Sequence, residues 1–83
     1  MKPEISIVIP MYNAGQIIER VLQSLENQTN KNFEVIIVDD VSTDNSVEIV
    51  KKHSITTIIL SKNSDPSKAR NIGVKNAKAE VII

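Results

Sequence analysis

Four branched aliphatics in succession, Val35-Ile36-Ile37-Val38, run straight into Asp39-Asp40. A strand with one face in water alternates apolar and polar residues. An unbroken aliphatic run suits a strand covered on both faces, the usual condition of a parallel sheet with helices above and below. The acidic pair then falls at the end of a buried strand. It is either a turn that stops the strand or a ligand site at the sheet edge.

The rest of the chain fits that frame. Ile5-Ser6-Ile7-Val8-Ile9 is a β-branched strand. It is expected to stop at Pro10, which has no N–H for a ladder. After a turn at 11–15, residues 14–28 are predicted helical, with Ile17, Ile18, Val21, Leu22 and Leu25 on one face. Glu19, Arg20, Gln23, Ser24, Glu26 and Asn27 fill the other face, and Thr29-Asn30-Lys31-Asn32 is a polar break. The second strand covers 34–38. Ser42, Thr43 and Asp44 are helix-capping types ahead of a helix over 45–53, with Val47, Ile49 and Val50 inward. A third strand covers 55–60. Asp65-Pro66 reads as a cap and first-turn proline for a helix over 66–77, whose inner face is Ala69, Ile72, Gly73 and Ala77. Residues 80–83, from Glu80, begin a fourth strand.

The order is β-α-β-α-β-α-β. The first two strands start about 30 residues apart, the length of one βαβ unit. Short connections between alternating elements imply a Rossmann-like parallel sheet with right-handed crossovers. The 83 residues contain no repeat, low-complexity tract or linker, so residues 1–83 are taken as one domain. Ending on an apolar strand without a closing helix marks that domain as partial.

Composition removes several function classes. Ten basic residues balance ten acidic ones, leaving no positive field for nucleic acid. Tyr12 and Phe33 are the only aromatics, too few for a base-stacking platform. Without Cys there are no disulfides or thiolate metal sites. No apolar run is long enough to span a bilayer, and Met1-Lys2-Pro3-Glu4 lacks a signal region. The expectation is a cytoplasmic protein, with a parent at the cytoplasmic membrane face as the alternative.

In open α/β sheets, ligands bind beyond the carboxyl ends of the strands. Those ends carry Pro10-Met11-Tyr12-Asn13, Asp39-Asp40 and Ser61-Lys62-Asn63. A carboxylate there can accept from a ribose hydroxyl or a base N–H, or approach a metal. The Tyr12 ring can lie beside a base. Arg70, early in the third helix, offers a fork of donors suited to a diphosphate. Simpler roles compete: a turn for Asp39 and Asp40, a helix cap for Asp44, an ion pair for Arg70, a packed ring for Tyr12. His53, beside Lys51 and Lys52, reads as a solvated charge at a helix C-terminus. The lysines are scattered, and Gly15 and Gly73 make no phosphate-binding fingerprint.

Taken together, SIVIPMYNAG, LENQTNKNFEVIIVDDVSTDNS and KARNIGVKNAKAEVII resemble the N-terminal half of family 2 glycosyltransferases with the GT-A fold. That family reads "VSVIIPTYN", "S-L-x-x-Q-T", "FEVIVVDDGSTDGT" and "ARN-x-G", in the same order and spacing. The resemblance implies a truncated GT-A domain with strand order 3-2-1-4 and a site for a nucleotide-sugar donor, expected to be UDP-linked. It places Pro10, Tyr12 and Asn13 along uracil and ribose, Asp40 on the base with Asp39 supporting that edge, and Arg70 near the donor. Val41 departs from the family's usual Gly, and Asp65 stands where many members carry Gly. The Asp-x-Asp motif that holds a divalent metal, Mg²⁺ or Mn²⁺, would follow Ile83, as would the catalytic base. No catalytic residue, metal ligand or cofactor is therefore assigned within this chain, and alone it is expected to be inactive. Two rival readings stand beside this one: a receiver-like phospho-accepting module, and a non-catalytic fragment. Either way an exposed fourth strand favours a homo-oligomer.

Overall fold

The unbroken run Val35 to Val38 is explained by what covers it. In a computed structural model, Val35 and Ile37 pack on one side of the sheet, with Met11, Ile18, Leu22 and Val50. Ile36 and Val38 pack on the other, with Ala69 and the half-buried Ile58, Leu60 and Ile72. Successive side chains of a strand point to opposite faces, so two cores require an aliphatic at every position.

The structure describes residues 3–28, 32–53, 55–62, 65–79 and 81–83. The strands are β1 (Ile5–Met11), β2 (Phe33–Asp39), β3 (Thr56–Ile59) and β4 (Val81–Ile82); the helices are α1 (Ile18–Glu26), α2 (Ser46–Lys51) and α3 (Pro66–Asn76). All pairings are parallel and the spatial order is β3-β2-β1-β4. α1 and α2 cover one face and α3 the other, so the direction of winding reverses between β1 and β4. The expectations for residues 29–31, for Asn63 and for Glu80 fall outside the described residues.

Three expectations need correction. β1 does not stop at Pro10; it pairs with β2 through Met11, with Pro10 opposite Val38. On its other side, among the described residues, β1 pairs with β4 and Ile83, through Ile83 N to Ser6 O and Val8 N to Ile83 O, both 2.8 Å. Pro10 shares the parity of Ser6 and Val8, so its nitrogen faces away from β2, and the β1–β2 pairing runs past it without losing a ladder bond. The first helix begins at Ile18 rather than 14. Residues 14–17 form a tight turn in which the Ala14 carbonyl accepts from Ile17 N at 3.0 Å and Ile18 N at 2.8 Å. Ile18 and Leu22 are buried, but Ile17 and Val21 lie on the exposed flank of the helix.

His53 is the third correction. It is not a solvated terminal charge: its side chain is 12% exposed, with Nε2 at 2.5 Å from Glu19 and Nδ1 at 2.7 Å from Glu26. Glu19 and Glu26 are seven positions apart, two turns along one face of α1. The two carboxylates, Glu26 first, raise the imidazole pKa above its usual value. Only the imidazolium supplies an N–H to each carboxylate, so the contact ties the end of α2 to α1 as a charged clamp.

α3 approaches the sheet closely. A Cβ added to Gly73 would lie 2.3 Å from Val8 Cγ1 and 3.2 Å from Val38 Cγ2; this glycine is required for space, not for its backbone angles. At the opposite sheet end from the acidic pair, the buried Ser6 hydroxyl donates to Glu34 at 2.5 Å and accepts from Ala79 N at 3.1 Å. Glu34 also accepts from Lys78 N at 2.6 Å. The Ser6 hydroxyl, followed by Lys78, holds the Glu34 carboxyl below its ordinary pKa despite partial desolvation. No helix among the described residues is long and apolar enough to cross a membrane.

Candidate functional site

Asp39 and Asp40 are adjacent in sequence but do different work. The Asp39 side chain is buried, 1% exposed. It accepts from Ser42 N at 3.0 Å and from Ser42 Oγ at 2.5 Å. Both bonds close the turn after β2 and satisfy a carboxylate that burial would otherwise penalise. Asp40 anchors its backbone by donating from N to the Met11 carbonyl at 2.8 Å. Asp40 lines a small cup of about 80 Å³ with Pro10, Met11, Tyr12, Pro66 and Ala69. Between this turn and its exit, Val41 takes φ 59°, so the chain accepts the left-handed conformation that Gly would adopt freely.

The cup lies where β1 ends and α3 begins, at the point where the winding reverses. This is the position at which open α/β sheets present ligand sites. Tyr12 is 54% exposed, which sets aside the packed-ring alternative. Asp65 caps α3 as expected, accepting from Lys68 N at 2.9 Å, with Pro66 in the first turn. Its φ of −83° makes no demand for glycine.

Asn13 and its neighbours stitch two loops together. Asn13 also has positive φ, 47°, which Asn tolerates better than most residues. Its Oδ1 accepts from Thr43 N at 2.7 Å and from Asp44 N at 3.3 Å. Its own N–H donates to Ser42 Oγ at 2.9 Å. Ala14 N donates to Ser46 Oγ at 2.9 Å, and Gly15 N to Asp44 at 3.0 Å. Asp44 also receives Ser46 N at 3.0 Å and the Ser46 hydroxyl. The Ser46 hydroxyl, then these backbone donors, depress the Asp44 pKa. Asp44 is thus a loop fastener; the N-cap position itself belongs to Asn45, which makes no side-chain cap bond.

Arg70 sits just outside the cup. Its Nη1 is 3.5 Å from the Val8 carbonyl on the β4 side of β1, a long contact that leaves the exposed guanidinium poised along that edge. The structure therefore brings Pro10, Tyr12 and Asp40 together. Asn13 and Asp39 support them from the loops, and Arg70 borders them. Sequence reasoning missed Pro66 and Ala69 as walls of the cup and Ser42 and Ser46 as fasteners. The Ser and Thr cluster was a signal for them, but its capping interpretation masked the contacts between loops.

A larger hollow of about 620 Å³ lies at the other end of the sheet, among Leu22, Phe33, Glu34, His53 and Thr56. Its carboxylates and imidazole, Glu26, Glu34 and His53, are already committed to the clamp and the Ser6 contact, so size alone does not make it the site. Among the described residues no three His, Asp or Glu side chains gather as metal ligands.

Comparison with known proteins shows the family. An uncharacterised glycosyltransferase of Rickettsia conorii is 42% identical over 82 residues, covering 95% of this chain and 14% of that protein. The poly(ribitol-phosphate) beta-glucosyltransferase of Bacillus spizizenii is 41% identical over 88 residues, covering 96% and 14%. The crystal structure of S. aureus TarS 1-349 in complex with UDP-GlcNAc superposes with a TM-score of 0.92 at 36% identity, covering 96% of this chain and 25% of that one. The chain thus spans a minor part of the proteins it matches. The family model described as glycosyl transferase family 2 matches residues 6–83, and the chain belongs to that family.

Proposed function

We propose that this chain is the nucleotide-binding portion of a glycosyltransferase that uses a UDP-linked sugar donor. The observation that carries the reading is the cup at the end of β1, which joins an exposed ring, Tyr12, to a carboxylate, Asp40. A uracil can lie against Tyr12 and Pro10 while Asp40 accepts from its N–H. Asn13 borders the ribose side, Asp39 fixes the turn that presents Asp40, and Arg70 faces the diphosphate. Support comes from two neighbours at 36% identity, TarS 1-349 with UDP and with UDP-GlcNAc.

The chain covers 25% of the latter structure, and the reading gives it donor binding rather than the complete transfer. A divalent metal and a carboxylate base would belong to the complete enzyme. The receiver-like alternative has no support, because the acidic pair ends β2 and the chain matches another family.

Titrating UDP into the chain should give weak, saturable NMR shifts centred on residues 10–13 and 39–40. Asp40→Ala should abolish them. Shifts confined to residues remote from the cup would defeat the assignment. The same reading includes self-association through β4, where Val81 is 55% and Ile83 61% exposed beside a short edge strand. Light scattering should show a dimer or larger species at high concentration; a clean monomer there rejects this part.

A further inference from the structure

We infer that Asn13 is a positioning residue that holds Tyr12 over the cup by locking the loop after β1 to the loop after β2. The inference rests on the donor-site reading above. Tyr12 has one anchored neighbour on each side. Met11 is buried in the sheet and its carbonyl accepts Asp40 N at 2.8 Å. Asn13 is held by its own N–H on Ser42 Oγ at 2.9 Å and by its Oδ1 on Thr43 N at 2.7 Å. Tyr12 itself is 54% exposed, so packing contributes little to its placement. Ser42 carries the link onward, because its hydroxyl donates to the buried Asp39 at 2.5 Å. One hydrogen-bonded path therefore joins the backbone under Tyr12 to the turn that presents Asp40. The two groups that meet the base are set at a fixed spacing before any ligand arrives, which reduces the ordering cost of binding.

Asn13→Gly tests this without adding backbone strain, since Gly adopts φ 47° freely. In the unliganded chain, the backbone order parameter of Tyr12 should fall from about 0.85 to below about 0.6. UDP affinity should drop about tenfold, the loss expected from one or two hydrogen bonds. Ser42→Ala breaks the second link, the one that receives the Asn13 N–H, and should reproduce both effects, and it serves alone if Asn13→Gly does not fold. The double variant should bind no more weakly than the worse single one, because Tyr12 is held only while both links are closed. A Tyr12 as rigid in the variants as in the parent would overturn the inference. So would additive losses, which mark a direct ligand contact, or a lowered urea midpoint with unchanged affinity, which marks a merely structural role. If the parent chain fails to bind UDP, the donor-site reading fails, while the Tyr12 order parameter still decides whether Asn13 holds the loop.

Discussion

Val41 and Asn13 share positive φ, at 59° and 47°, but not the means to tolerate it. Asn is one of the few residues that enter the left-handed region readily. A β-branched side chain there crowds the following carbonyl, at a cost of roughly 1–2 kcal/mol. The turn persists because Asp39 receives two hydrogen bonds from Ser42 across it. Comparing Val41→Gly with Val41→Ala isolates the backbone term, since both remove the same side-chain contacts. At an ordinary position Ala is favoured by about 0.5–1 kcal/mol. Here the order should invert, with the Gly variant more stable by about 0.5–1 kcal/mol after the left-handed penalty is relieved. Urea-unfolding midpoints of the two variants check this. Equal midpoints, or a more stable Ala variant, would show the turn relaxing at no cost.

Between elements, the contacts that respond to pH are charged. His53 joins α2 to α1 through Glu19 and Glu26, and its pKa is raised. A raised folded pKa contributes stability that is complete below the unfolded value, about 6.5, and is lost as pH rises through the folded value. Glu34 and Asp44 have lowered pKa values. Their contributions are present above the usual carboxylate range and fade as pH falls through the folded values. Stability should therefore peak in mildly acidic to neutral solution and decline on both sides. Since Glu19 and Glu26 are half-exposed, the alkaline decline should be less than about 1 kcal/mol. Chemical denaturation from pH 4 to 9 measures the profile, and His53→Gln should flatten only its alkaline limb. An unchanged limb in that variant would assign the decline to other groups.

At the scale of the molecule, the sequence was informative where periodicity is dense. The aliphatic run of β2, the inner face of α3 and the alternation of elements predicted the parallel α/β sheet, and the family resemblance implied the strand order that the structure shows. The motif spacing predicted that Pro10, Tyr12 and Asp40 meet. What could not be read was pairing between groups distant in sequence. Nothing local distinguishes His53 as a clamp from His53 in solvent, or Ser42 as a fastener from Ser42 as a cap, because the partners lie on other elements. The start of α1 was also hidden, since tertiary bonds from Ala14 and Gly15 claim N–H groups ahead of the helix.

The Ser6 contact with Ala79 has a consequence for the order in which the molecule assembles. It spans 73 positions along the chain, and closing so long a segment before anything else forms is entropically unfavourable. β1, α1 and β2 can associate with far shorter loops, and only their pairing places the Ser6 hydroxyl against Glu34. The junction is therefore expected to act as a latch that shuts after the rate-limiting step and opens early when the chain comes apart. Ser6→Ala should destabilise the protein by about 1–3 kcal/mol through the orphaned Ala79 N–H. That loss should fall almost entirely on the unfolding rate and leave the folding limb of a stopped-flow chevron in place. A slowed folding limb would mean that the two distant ends of the sheet meet before its middle is built.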